Sequence, residues 1–363
     1  MPESTKYLLI GSTEAYSGKS AIILGLAHQL QTQGLDIGYG KPIGTCVSES
    51  QIDQKDEDVR FVAQTLDLPE NRIKPTVLCL DEETLKKRIS GTDETQYRQH
   101  LEQYLQHPCG DLVLLEGPGS LEEGSLFDLS LLRVAQLVNA DVVLVARFQS
   151  VLVVDALLSA QQKLGDCLAG VLINDVPGDQ LDNVNTHVKP FLEQHGIPVL
   201  GILPRHNVLR SVSVGELVHQ LNAEVLCCHD RLDLMVESLT IGAMNVNSAL
   251  KYFRKANHMA VVTGGDRTDI QLAALETSTH CLILTGHIPP SPAILSRAED
   301  LEVPILSVDL DTLTTVEIID RAFDQARLHE LVKVECICDL MQAHCDIERL
   351  MADLGLKPAT VVQ

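Results

Sequence analysis

The sequence predicts an α/β protein: a doubly wound, mostly parallel sheet, then a smaller α/β domain and a short helical tail. Three observations predict it. From residue 6 to about 203, strand-sized apolar runs alternate with amphipathic segments, the rhythm of βα units. Aromatics are only 3% of the 363 residues and Trp is absent, so the core has to be aliphatic, as in parallel sheets buried on both faces. The first apolar run, residues 7–10, turns directly into the helical pattern Ala21-Ile22-Ile23-Leu24-Gly25-Leu26-Ala27.

Composition narrows the function classes. Hydrophobic residues make up 45% and charged residues 21% of the chain, the balance of a globular protein. The formal charge of −22 argues against nucleic-acid and anionic-membrane partners, which need basic patches. A phosphate ligand would therefore have to be held locally. Met1-Pro2-Glu3-Ser4-Thr5-Lys6 leads straight into the first strand and no apolar run reaches spanning length, which is the expectation for a cytoplasmic protein without an export leader. The ten cysteines contain no Cys-x-x-Cys. Their scatter predicts reduced thiols in preference to a zinc site at Cys336, Cys338, His344 and Cys345.

In the first domain, strands are expected at residues 7–10, 38–41, 77–80, 112–115, 142–146, 168–173 and 199–202. Helices are expected at 18–33, 57–66, 94–106, 130–138, 153–164 and 181–195. Ligands of such sheets bind beyond the carboxyl ends of the strands, and those ends carry the chemistry. After the first strand comes Thr13-Glu14-Ala15-Tyr16-Ser17-Gly18-Lys19-Ser20, which with Ala21 has the layout of a phosphate-binding loop. Main-chain N–H groups at a helix start face an anion, the lysine reaches outer phosphates and the hydroxyl ligates magnesium. Thr13 stands where the usual pattern has Gly, and the nearest upstream glycine is Gly11.

The second strand ends in Lys41-Pro42, a cation for phosphate or carboxylate. Asp56-Glu57-Asp58 then opens a helix, either to complement its dipole or to hold a metal. The fourth strand ends in Glu116-Gly117-Pro118-Gly119. A carboxylate at the tip of an apolar strand has to be solvated, paired or metal-bound, and Ser20, Asp58 and Glu116 together make an oxygen-rich magnesium site. The sixth strand ends in Asn174-Asp175, where an amide can read a purine edge or cap the turn.

This set resembles the dethiobiotin-synthetase-like branch of P-loop proteins, which includes the cobyrinic acid amide synthetases. The deviant Gly-Lys-Ser loop, Lys-Pro, helix-opening Asp, Glu-Gly and Asn-Asp all occur in order. The resemblance implies ATP or another purine nucleotide with Mg2+. Thr13, Glu14, Ser17, Gly18, Lys19, Ser20, Ala21 and Asn174 would bind the nucleotide, Asn174 at the base. Lys19 and Lys41 would act on phosphate or substrate, and Ser20, Asp58 and Glu116 would hold the metal.

Beyond residue 208 a second alternating set appears, with strands near 223–227, 258–263, 281–284 and 303–307. Gly264-Gly265-Asp266-Arg267-Thr268 places a glycine turn and small polar groups at a strand end, as an anion site or as a tight turn whose arginine pairs internally. The segment resembles the DRTGG domain. The expected organisation is a dethiobiotin-synthetase-like domain over 1–208, a DRTGG-like domain over 209–330 and a helical tail over 331–363. The whole is similar to the N-terminal and middle regions of long-form phosphate acetyltransferases, ending where the transferase domain begins. That resemblance implies a nucleotide-responsive regulatory or sensor protein, homo-oligomeric, answering to a protein partner or small-molecule effector. The alternatives are an ATP- and Mg-dependent ligase or synthetase activating a small carboxylate or carbamate, or a weak ATPase, and a scaffold whose loop no longer binds nucleotide.

Overall fold

The computed structural model describes residues 5–44, 56–107, 109–326, 328 and 330–357. The chain divides into two compact units, Met1–Arg205 with Leu328–Gln363, and His206–Arg327.

The first unit is built on a seven-stranded sheet. Its strands are β1 (Lys6–Ser12), β2 (Ile37–Gly40), β3 (Ile73–Lys74), β4 (Leu112–Glu116), β5 (Asp141–Arg147), β6 (Leu168–Val176) and β7 (Val199–Pro204). They lie in the order β3-β2-β4-β1-β5-β6-β7 and every pairing is parallel. Leu8, Leu9 and Ile10, Leu112 to Leu115 and Val142 to Ala146 are all buried. Such unbroken apolar runs arise because helices cover both faces of a parallel sheet.

Two expectations change here. The run expected as a strand at 77–80 stays out of the large sheet, because Leu78–Cys79 pairs with Ile43–Gly44 in a separate two-stranded sheet. The edge position is taken by Ile73–Lys74. Lys74 is tied there, its buried ammonium donating to the carbonyl of Tyr104 at 2.9 Å. The cysteines also depart from uniformly reduced thiols: Cys109, Cys167, Cys227, Cys228, Cys281, Cys336, Cys338 and Cys345 are free, but Cys79 is disulfide-bonded.

The phosphate-loop helix α1 (Lys19–Thr32) buries Ile22, Ile23, Leu24, Gly25, Leu26, Ala27 and Leu30. A helix without a polar stripe has to be covered on more than one side. After α2 (Glu57–Thr65), the second cover comes from α3 (Leu331–His344), which packs along α1. A β-carbon on Gly25 would lie 2.5 Å from Met341 Cγ and 3.2 Å from the Ile337 carbonyl. The following α4 (Ile347–Asp353) is anchored by Arg349, whose guanidinium donates to both Glu193 oxygens at 2.8 and 3.1 Å. The helices expected over 331–363 thus pack within the first unit. Their apolar side chains complete the cover of α1.

The second unit carries a five-stranded sheet of β8 (Glu224–Cys227), β9 (Ser238–Ile241), β10 (Met259–Gly264), β11 (Thr279–Thr285) and β12 (Ile305–Val308). The order is β8-β12-β11-β10-β9, parallel except that β8 runs antiparallel to β12. Asn245 caps the helix Val246–Phe253 by accepting from Ser248 N–H at 3.0 Å, the role its position predicts.

Candidate functional site: the phosphate loop and its strand ends

β1 runs into a loop that turns through Tyr16 at φ 55° and Gly18 at φ 93° before α1 begins at Lys19. Left-handed backbone is easy for Gly and strained for other residues. The N-cap Gly18 offers α1 no side-chain cap and no acid occupies the first turn, so among the described residues its leading N–H groups remain available to an anion. Ser17 is buried, and its hydroxyl has no hydrogen-bond partner among the described residues. Gly11 has a different task from the glycine of ordinary phosphate loops: a β-carbon there would lie 2.4 Å from a methyl of Leu131.

Lys19 Nζ donates to Ser12 Oγ at 3.0 Å, and Ser12 Oγ donates to the Gly119 carbonyl at 3.0 Å. Burial pushes the Lys19 ammonium below the ordinary lysine value, with Glu116 and Glu123 opposing that shift. Ser20 Oγ donates to Glu116 Oε1 at 3.0 Å, while the buried Tyr39 hydroxyl donates to Glu116 Oε2 at 2.9 Å. The carboxylate at the tip of β4 is thus satisfied on both oxygens. Tyr39, held far above the ordinary phenol value by burial and by Glu116, stays a donor.

Lys41 is nearly buried, with Nζ 3.0 Å from Asp56 Oδ2 and 2.5 Å from Asp58 Oδ2. Burial alone would push Lys41 down, but Glu116, Asp58 and Asp56 together hold it well above the usual lysine value. Asp56 also caps α2, accepting from Asp58 N–H at 2.9 Å. This acidic helix start therefore caps its helix and also neutralises Lys41. Of the three expected metal ligands, Ser20 and Glu116 touch, and Asp58 is joined to the group through Lys41. Among the described residues no three His, Cys, Asp or Glu side chains form a metal-holding group, Cys336, Cys338, His344 and Cys345 included.

Asn174 turns toward the loop. Its Nδ2 donates to the Ser17 carbonyl at 2.9 Å and lies 2.5 Å from where a β-carbon on Gly18 would stand. Asp175, at φ 58°, accepts from Arg147 Nε at 3.0 Å and Arg205 Nε at 2.8 Å. Glu14 accepts from Gln149 Nε2 at 3.0 Å. Thr13 is half-buried in the loop and Ala21 lies in the first turn of α1.

Sequence reasoning missed Tyr39, Gln149 and Asp175 as members of this constellation. Asp175 stands in the Asn174-Asp175 strand end and Tyr39 is an aromatic flanked by glycines just before Lys41-Pro42, so of the three only Gln149 carried no signal.

At the end of β10 the second glycine turn is closed by its own side chains. Arg267 donates to the Met244 carbonyl at 2.9 Å and to Asp269 at 3.4 Å. Gln271 Nε2 donates to the Gly264 and Gly265 carbonyls, at 3.0 Å each. Gly265 N–H bonds the Thr285 carbonyl and Arg267 N–H bonds the Gly264 carbonyl. A β-carbon on Gly265 would stand 2.0 Å from the Ile288 carbonyl. Asp266 is exposed and Thr268 opens the next helix. Of the two arrangements the sequence left open, this geometry is that of a tight strand-to-helix turn.

Known proteins share both parts of this architecture. The AAA domain model matches residues 6–213 and the DRTGG domain model matches residues 216–322. A phosphate acetyltransferase of Synechocystis sp. is 26% identical over 372 aligned positions, covering 96% of this chain and 51% of that protein. A probable cobyric acid synthase of Methanocaldococcus jannaschii is 24% identical over 225 positions, covering 55% of this chain and 45% of that protein. The solved CBS and DRTGG domains of the regulatory region of Clostridium perfringens pyrophosphatase, complexed with the activator diadenosine tetraphosphate, align over 44% of this chain and 79% of that one, at 18% identity and a TM-score of 0.29. The nature of the second unit rests on the DRTGG match and not on that alignment. The chain spans about half the length of the phosphate acetyltransferase it matches. No helix among the described residues is long and apolar enough to cross a membrane. With its model matched over more than half of the 363 residues, the chain belongs to the AAA domain family of P-loop proteins and joins that domain to a DRTGG domain.

Proposed function

We propose that the first unit binds a purine nucleotide, ATP with Mg2+, on the β1–α1 loop, and that the chain is a nucleotide-responsive regulatory module. The observation that carries this reading is the loop itself. A helix start that Gly18 leaves uncapped, a buried Ser17 hydroxyl without a partner among the described residues and the Lys19 ammonium lie together, a set of donors suited to phosphate oxygens.

Charge explains why a metal belongs to the reading. Lys19 and Lys41 stand among Asp56, Asp58, Glu116 and Glu123, four carboxylates against two ammonium groups. A bare polyphosphate is repelled there. Ser20, Glu116 and Asp58 are the oxygen donors that would hold magnesium, and the ion supplies charge neutralisation for the phosphates. The regulatory half of the reading draws on the DRTGG domain joined to the nucleotide site, whose glycine turn is bonded internally by Arg267 and Gln271.

Calorimetric titration with ATP tests the proposal. Binding should be saturable, depend on Mg2+ and weaken at least about tenfold in Lys19→Ala, the loss of a charge-assisted contact. Equal binding by wild type and variant would sink it. Size-exclusion chromatography with and without ATP then reads whether occupancy alters oligomer size.

A second reading, an ATP-dependent ligase or synthetase, draws on the likeness to a probable cobyric acid synthase and on Lys41 beside the loop. It requires ADP to be released stoichiometrically with a small-molecule product, and the regulatory reading does not.

A further inference from the structure

Glu123 is a carboxylate the motif reading passed over. It follows the Glu116-Gly117-Pro118-Gly119 turn, where its N–H donates to Ser120 Oγ at 3.2 Å. The side chain folds back over Gly119, so that a β-carbon on that glycine would lie 2.6 Å from Glu123 Oε2. Gly119 therefore has a specific reason to be glycine, since the carboxylate occupies the place of a side chain. The Gly119 carbonyl accepts from Ser12 Oγ, which in turn accepts from Lys19 Nζ, each at 3.0 Å. Glu123 thus stands at the end of the site where the lysine of a phosphate loop meets the outer phosphates.

The other carboxylates have partners: Asp56 and Asp58 hold Lys41, and Glu116 holds Ser20 and Tyr39. The Glu123 carboxylate accepts no hydrogen bond and forms no ion pair among the described residues. Its field nevertheless reaches Lys19.

We propose that Glu123 sets the preference of this site between nucleoside diphosphates and triphosphates. The inference rests on the nucleotide reading above. A terminal phosphate brings its charge against the Glu123 carboxylate, whereas a diphosphate ends one phosphate short of it. Like charges a few ångströms apart in a partly buried site repel by an amount worth about tenfold in affinity.

The test is titration of the full chain with ATP and ADP, each with Mg2+, in wild type, Glu123→Gln and Glu122→Gln. Glu122 is the control, an exposed neighbour that pairs with Lys163 and whose loss changes the net charge equally. Glu123→Gln should tighten ATP about tenfold and change ADP by less than about threefold. Glu122→Gln should leave the ATP-to-ADP ratio at the wild-type value. An unchanged ratio in Glu123→Gln overturns the inference and leaves the nucleotide reading standing. Weaker ATP binding in that variant also overturns it, and makes Glu123 a support for the bound metal. A wild type that binds neither nucleotide overturns both.

Discussion

The side-chain amide of Asn174 donates to the main-chain carbonyl of Ser17 at 2.9 Å across 157 residues of sequence, so the end of β6 braces the phosphate loop. Removing the brace by Asn174→Ala should weaken nucleotide binding about fivefold, the worth of one partly buried hydrogen bond of about 1 kcal/mol. Gly18→Ala should do more damage. Its φ of 93° is strained for any other residue, and its β-carbon would meet the Asn174 amide at 2.5 Å. Titration of both variants, with hydrogen exchange over residues 13–20, checks the order of the two effects.

The packing of α3 on α1 gives a second prediction. Gly25 faces Met341 and the Ile337 carbonyl at distances that leave no room for a side chain. Gly25→Leu should therefore destabilise the first unit by about 1–3 kcal/mol through overpacking. Met341→Ala in the same chain should recover part of the loss by opening space. Hydrogen exchange of the amides of α1 and α3 reads both changes.

The strand ends were legible because the chemical residues sit at or just beyond apolar runs: Lys19 and Ser20 in the loop after β1, Glu116 at the tip of β4, Asn174 near the end of β6. What could not be read depends on register and on distant chain. Tyr39 reaches Glu116 because β2 lies beside β4, with Tyr39 opposite Leu114, a neighbour relation that no local pattern encodes. The short run at 77–80 is as apolar as the true strands, and only its pairing with Ile43–Gly44 keeps it out of the large sheet. The cover for α1 arrives roughly three hundred residues later, after the whole second unit. Its one local sign was a helix with no polar stripe.

For the second unit, Gly265→Ala is the informative change. The added β-carbon would stand 2.0 Å from the Ile288 carbonyl, a clash with main chain that a rotamer change does not relieve. A loss of about 2–4 kcal/mol is expected, confined to the second unit. Exchange rates of the β10 and β11 amides should rise while those of β1 and β4 stay at their wild-type values. Arg267→Ala should give a smaller version of the same pattern, since it removes the bonds to Met244 and Asp269.

The Lys41 cluster makes a prediction about pH. Asp56 is almost wholly buried against the Lys41 ammonium, so Lys41→Met takes that ammonium away from a buried carboxylate. Breaking such a pair by removing one partner costs about 3–5 kcal/mol. Because the folded-state pKa of Lys41 is raised above its unfolded value, the stabilisation is fully present below about pH 10.4, the ordinary lysine value. It is lost only as pH rises through the higher folded value. The stability difference between wild type and Lys41→Met, followed by hydrogen exchange of the β2 and α2 amides, should therefore stay constant from pH 7 to about pH 10 and narrow above that. If burial outweighed the three carboxylates, the folded-state value would lie below the unfolded one, the unfolded chain would hold the extra proton, and the difference would widen as pH rises toward about pH 10. The two slopes have opposite signs, so the titration decides which effect governs the lysine.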